Sequence, residues 1–239
     1  MKNKSKKHYF SAAEIILWSV SVALIIASFC LFDRKNYLNF VATLLGVTAL
    51  ILNAKGNPIG QVLMIVFGIA YGIISYSFTY YGETITYVGM SVPMAAVSLV
   101  SWLKNPFNGN KSEVKVNKIS RKETIFMFAL TAVVTVAFYF ILRCFGTANL
   151  IFSTISVTTS FMAAYLTLRR SAYYAIAYAA NDVVLIVLWV LASTVDLTYL
   201  SVVVCFFVFL ANDLYAFFNW KKTEKAQKDF LEQSLKNKA

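Results

Sequence analysis

Residues 172 to 192, Ala172-Tyr-Tyr-Ala-Ile-Ala-Tyr-Ala-Ala-Asn-Asp-Val-Val-Leu-Ile-Val-Leu-Trp-Val-Leu-Ala192, are long and apolar enough to cross a bilayer, yet Asn181 and Asp182 stand at their middle. A carboxylate at the centre of a membrane helix costs about 2.5 to 3.5 kcal/mol on insertion scales, so a segment that keeps one has a polar cavity or a partner there. Helical spacing sets Tyr174, Tyr178, Asn181, Asp182, Leu185 and Trp189 on one stripe, an acid among aromatic rings. The stripe reads as one wall of a binding site. The competing reading is an Asp that glues two helices together by a hydrogen bond.

The rest of the chain is of the same kind. With 59% hydrophobic and 14% charged residues, the 239 residues describe a single integral membrane domain better than a soluble one. Apolar windows near 12–32, 38–54, 59–79, 84–103, 123–142, 149–168, 172–192 and 198–219 predict an all-α membrane protein of eight transmembrane helices. The net charge of +11 would suit nucleic acid, but Lys and Arg fall between the apolar runs instead of gathering on one face, so no nucleic-acid partner is expected.

The basic residues instead report topology. If the N-terminus is cytoplasmic, the inside segments hold nineteen of the 22 Lys and Arg residues, and only Arg34, Lys35 and Arg143 lie outside. Both termini are therefore expected in the cytoplasm, with the basic head before an uncleaved first span. Cys30, Cys144 and Cys205 show no paired or metal-type spacing and read as small hydrophobes; His8 sits in the basic head. Neither a metal nor a cofactor is expected. Two intramembrane acids raise the reading of an aspartic protease, but Ala-Asn-Asp-Val and Ala-Asn-Asp-Leu lack the Tyr-Asp and Gly-x-Gly-Asp contexts of those enzymes. No Walker loop or nucleophile elbow occurs, so the chain does not read as an enzyme.

Residues 104–122 are polar, carry Pro106 and Gly109, and divide two related halves. Asn39 opens a span as Asn149 does, Gly82-Glu83-Thr84-Ile85-Thr86-Tyr87 is echoed by Thr194-Val195-Asp196-Leu197-Thr198-Tyr199, and Ser101-Trp102-Leu103-Lys104 by Asn219-Trp220-Lys221-Lys222. The order of the echoes predicts a 3+1+3 parallel-repeat core plus a peripheral N-terminal helix. Its parts are a basic head and extra helix (1–37), a first three-helix repeat (38–103), a basic loop and linking helix (104–148), a second repeat (149–220) and a basic tail (221–239), read as a solvated helix extension or as disordered. Parallel repeats of this kind place a substrate site near the midplane between them.

Other stripes supply candidate walls. Tyr87, Ser91, Met94, Ser98 and Ser101 share a face of the fourth span, with Pro93 beside them freeing a backbone carbonyl. Tyr71 is the deep ring of the third span, beside the close-packing pair Gly68 and Gly72. Ser153, Ser156 and Ser160 read as a close-packing face first and a polar lining second. Asn212 and Asp213 lie on the last span, with Asp213 expected about 8 Å nearer the cytoplasm than Asp182, at a second depth of one pathway.

The run Tyr71-(x4)-Tyr76-(x4)-Tyr81-Gly82-Glu83-(x3)-Tyr87-(x5)-Pro93-Met94-(x7)-Trp102-(x)-Lys104-Asn105 resembles the PnuC family of nicotinamide riboside transporters. The resemblance covers roughly residues 38 to 222. It implies two parallel three-helix repeats around a linking helix, an inner-membrane location, and facilitated uptake of a vitamin that a cytoplasmic kinase traps by phosphorylation. Where the family carries Trp-x-x-Trp-x-x-x-Asn, this chain has Ala175, Tyr178 and Asp182, which leaves thiamine and riboflavin open beside nicotinamide riboside. The substrate-binding residues expected are Tyr87, Tyr178, Asn181, Asp182 and Trp189, with Tyr71, Met94 and Asn212 behind them. Whether the chain forms a homo-oligomer is open, and a non-transporting receptor or scaffold is the competing class. No Lys or Arg lies inside any span, so a phosphate would lack a cationic partner, whereas a ring with fixed positive charge would suit the acid and the aromatic rings.

Overall fold

The computed structural model describes residues 9–77, 81–147 and 149–237; the basic head from Lys2 to His8 lies outside them. Among the described residues eight helices are long and apolar enough to span a bilayer, and the chain is a multi-pass membrane protein. They are α1 (Ala12–Phe32), α2 (Tyr37–Ala54), α3 (Ile59–Ser77), a broken fourth span, α6 (Arg121–Cys144), α7 (Leu150–Leu168), α8 (Tyr174–Ser193) and α9 (Leu200–Lys236). The fourth span joins α4 (Tyr81–Thr84), a π-helical stretch Ile85–Ser91 and α5 (Val92–Leu103).

Polar residues at the helix ends set the boundaries. Ser11 and Glu14 form a reciprocal capping box at the start of α1, and Ser120 accepts from the Glu123 N–H at the start of α6. After α2 the chain turns through Gly56 (φ +67°), and after α7 through Arg170 (φ +56°), both left-handed. In each case an N–H three residues past the helix end reaches back, Asn57 to the Leu52 carbonyl and Ser171 to the Leu166 carbonyl, both at 3.0 Å.

Three features depart from the sequence expectation. Pro93 lacks an N–H, and the turn before it widens, with the Val92 N–H reaching the Tyr87 carbonyl five residues back. The polar stretch after α5 forms an antiparallel ribbon, β1 (Pro106–Phe107) with β2 (Asn110–Val114), turning through Asn108 and Gly109, both at positive φ. The tail is neither disordered nor simply solvated. α9 continues for 37 residues, and the buried Gln227 amide accepts from the Val116 N–H at 2.9 Å and donates to the Val114 carbonyl at 3.0 Å.

α8 packs between α7 and α9, α2 lies against α3 and α9, and α5 bridges α3 and α7. α6 lies on α7, and α1 rests on α2 and α9 at the edge of the bundle. α1 is held there by buried polar contacts: Glu14, 1% exposed, takes a hydrogen bond from the Tyr215 hydroxyl at 3.1 Å and pairs with Lys55 at 3.4 Å.

Candidate functional site

A cavity opens where α3, the broken fourth span, α7, α8 and α9 meet. The space between its walls, with the open solvent at its mouth included, is about 1280 Å³. Tyr87, Tyr178, Asn181, Asp182 and Trp189, the five residues placed first by the sequence, all line it.

Each is held by neighbours that fix its direction. Asn181 accepts hydrogen bonds at its Oδ1 from Ser156 at 3.0 Å and Thr159 at 2.9 Å, both on α7, which leaves its amide N–H donors for the cavity. Tyr87 comes from the π-helical stretch and packs against Tyr71, with ring centroids 4.9 Å apart. Trp189 meets Tyr199 at 5.3 Å and also borders a second, outer space, lined by Asp33, Asn39, Tyr71 and Asp196 among others.

The supporting residues are placed differently. Tyr71 is 4% exposed and stands behind Tyr87, on the side of the second space. Met94 packs between two apolar clusters and is not part of the cavity wall. Asn212 does not reach the cavity. Its amide donates to Ser21 of α1 at 3.0 Å and to the Val208 carbonyl at 2.8 Å, because neighbouring helical residues point about 100° apart and Asp213 takes the inward direction. It fastens α1 to α9.

The expected difference in depth between the two aspartates is also corrected: Asp182 and Asp213 line one cavity wall and adjoin each other. The rings of Tyr174 and Trp220 meet at 5.0 Å and set the register of α8 against α9. From that contact Asp182 is about 12 Å along one helix and Asp213 about 10.5 Å along the other, the same level.

Sequence reasoning passed over Glu83. It lies on α4, borders both the central cavity and the outer space, and accepts from the Ser75 hydroxyl at 3.4 Å. Its signal was an acid at the very edge of an apolar window. Gln61, which donates to Asn53 Oδ1 at 2.9 Å, was likewise missed, while Ser153, Ser156 and Ser160 serve as polar lining as well as packing. The cavity wall thus carries the carboxyl groups of Glu83, Asp182 and Asp213 and, among the described residues, no Lys, Arg or His. Nor do the described residues contain a cluster of three or more side chains suited to a metal.

Such a wall suits an uncharged or cationic solute crossing a bilayer, and the comparisons with known proteins agree with a transport role. The model of the family described as "Nicotinamide mononucleotide transporter" matches residues 36–222. The chain belongs to this transporter family. A curated relative, the "Nicotinamide riboside transporter PnuC" of Neisseria mucosa, is 24% identical over 213 residues, covering 87% of this chain and 81% of the relative. The solved structure described as "Crystal structure of the Vitamin B3 transporter PnuC" has the same fold, with a TM-score of 0.79 at 22% identity over 91% of this chain and 94% of that one. The family match begins at the Asn36 cap of α2 and ends two residues past Trp220. α1 and the far part of the tail lie outside the residues that the family model matches.

Proposed function

We propose that the chain is a facilitator for nicotinamide riboside, taking the nucleoside across the inner membrane without hydrolysing ATP. The observation that carries this reading is the composition of the cavity wall: among the described residues, three carboxyl groups, several aromatic rings and no cationic side chain. The family description speaks of the mononucleotide and the curated relative of the riboside, which differ by a phosphate. A phosphate in this cavity would face acids with no Lys or Arg to offset its desolvation. A pyridinium ring instead gains ion pairing with Asp182 and cation–π contact with Tyr87, Tyr178 and Trp189, each ring contributing about 0.5 to 2 kcal/mol. The Asn181 amide donates to a ribose hydroxyl.

The mechanism follows from the same geometry. The substrate enters between the two sets of three helices, α2 to α5 and α7 to α9, and passes as one set rocks against the other, with α6 as linker. The excess of basic residues in the 104–122 segment and the tail supports the reading that both termini are cytoplasmic. Net uptake runs down the substrate gradient and is maintained by a cytoplasmic kinase that phosphorylates the vitamin, since the phosphorylated product no longer fits the acidic cavity. Thiamine, which also carries a cationic ring, is the second reading that the same wall favours; riboflavin is neutral and gains nothing from the carboxyl groups.

The test is a thermal-shift series on the purified protein with nicotinamide riboside, its mononucleotide, thiamine and riboflavin. Stabilisation by nicotinamide riboside and none by the mononucleotide is expected. Stabilisation by riboflavin alone would overturn the cationic assignment.

A further inference from the structure

At the floor of the cavity Asp182 on α8 and Asp213 on α9 line one wall and adjoin each other. Two carboxylates brought together in this way repel, and neither can donate to the other. The residues are 4% and 3% exposed, and Asp182 Oδ2 and Asp213 Oδ1 find no hydrogen-bond partner among the described residues. The Tyr174 hydroxyl, on the same cavity wall, is equally without a partner.

Among the described residues, the cavity wall around the pair offers no cation to hold two negative charges together. Tyr174 and Tyr178 face the pair from α8, Tyr87 from the π-helical stretch and Cys205 from α9. α7 presents the hydroxyls of Ser153, Ser156 and Ser160, and Glu83 sits apart on α4 with Ser75. On α2 and α1 the nearest ionisable groups are Lys55 and Glu14, which pair with each other.

We propose that Asp182 and Asp213 share one proton, so that the cavity floor presents a single negative charge matched to one cationic ring. The proton turns a repulsive contact into a charge-assisted hydrogen bond and orients the two unpartnered oxygens toward the substrate. Either residue serves as the donor and the other as the charge. An Asn at either position reproduces the arrangement, its amide N–H donating to the remaining carboxylate in place of the shared proton. The pair is therefore a specificity determinant that tolerates the loss of one carboxyl better than the loss of both.

The inference rests on the cation-binding reading for its consequence, but the proton itself is measured without ligand. In infrared difference spectra of ligand-free protein in lipid nanodiscs at about neutral pH, the carbonyl stretch of a protonated carboxyl is expected in the parent and lost in both Asp182→Asn and Asp213→Asn. Nicotinamide riboside affinity is expected to fall about threefold in either single variant, each of which alters the binding floor, and about a hundredfold in the double variant, a non-additive pattern. A band unchanged in both single variants overturns the shared proton, as do single variants each as damaging as the double. Failure of nicotinamide riboside and thiamine to bind the parent overturns the cationic substrate instead, while the ligand-free spectrum still decides the proton.

Discussion

The indole of Trp102, in the last turn of α5, donates to the Thr167 carbonyl at 2.9 Å, and the indole of Trp220 on α9 donates to the Asn53 carbonyl at 2.8 Å; the two rings meet at 5.5 Å. The residues before them repeat the exchange, Ser101 donating to the Leu168 carbonyl and Asn219 to the Ala54 carbonyl. The exchange is reciprocal: Ser101 and Trp102 of α5 hold the last turn of α7, and Asn219 and Trp220 of α9 hold the last turn of α2. Each carbonyl also accepts a backbone N–H, that of Arg170 at Thr167 and that of Gly56 at Asn53, so losing an indole removes one buried hydrogen bond of two, at a cost of about 0.5 to 1.5 kcal/mol. Trp102→Phe and Trp220→Phe are expected to lower the melting temperature in detergent by similar amounts, and less than additively together. A neutral Trp102→Phe would contradict the capping role.

The placement of Tyr87 depends on close approach of α3 to the π-helical stretch. A Cβ on Gly72 would lie 2.4 Å from Val88 Cγ2, so Gly72→Ala is expected to destabilise by about 1 to 3 kcal/mol and to shift Tyr87. Adding Val88→Ala removes the clashing methyl and is expected to restore most of the stability, as measured by thermal unfolding. No recovery in the double variant would mean the contact is not what limits Gly72.

Asn212 tells packing from binding. Asn212→Ala is expected to leave substrate affinity within about twofold while costing about 1 kcal/mol of stability through the lost bond to Ser21. Titration of the variant with nicotinamide riboside and a melting curve check both halves. A large loss of affinity with unchanged stability would return Asn212 to the binding site.

Orientation is checked by labelling in a cysteine-free background. Val195 is 89% exposed between α8 and α9, and Asn110 is exposed on the ribbon. A cysteine at Val195 is expected to react with an impermeant thiol reagent on intact cells, and one at Asn110 only after permeabilisation. The reverse pattern would invert the topology.

The spans were legible because length and hydropathy act on the whole helix, and the main cavity stripe because Tyr178, Asn181, Asp182 and Trp189 keep a 3.6-residue period. What periodicity does not fix is the identity of the neighbour: Asn212 looked like a ligand until α1 was seen to occupy its side of α9. The depths of Asp182 and Asp213 were counted from the edges of apolar windows, but α9 runs past its window to Lys236, so that edge marks no structural end. Glu83 was hidden for a related reason, lying just outside a window that began at residue 84. The ribbon of residues 106–114 is stabilised by distant partners, Gly56 and Gln227, which no local pattern announces.

The most direct test of the cationic transport site is flux of labelled nicotinamide riboside into proteoliposomes containing only this protein. The label is expected to equilibrate without ATP or a sodium gradient, to be competed by thiamine or another ring cation, and to be unaffected by nicotinamide mononucleotide. Competition by the mononucleotide at matching concentration would contradict the account, because it would require an anion site in a cavity whose described wall carries three acids and no base.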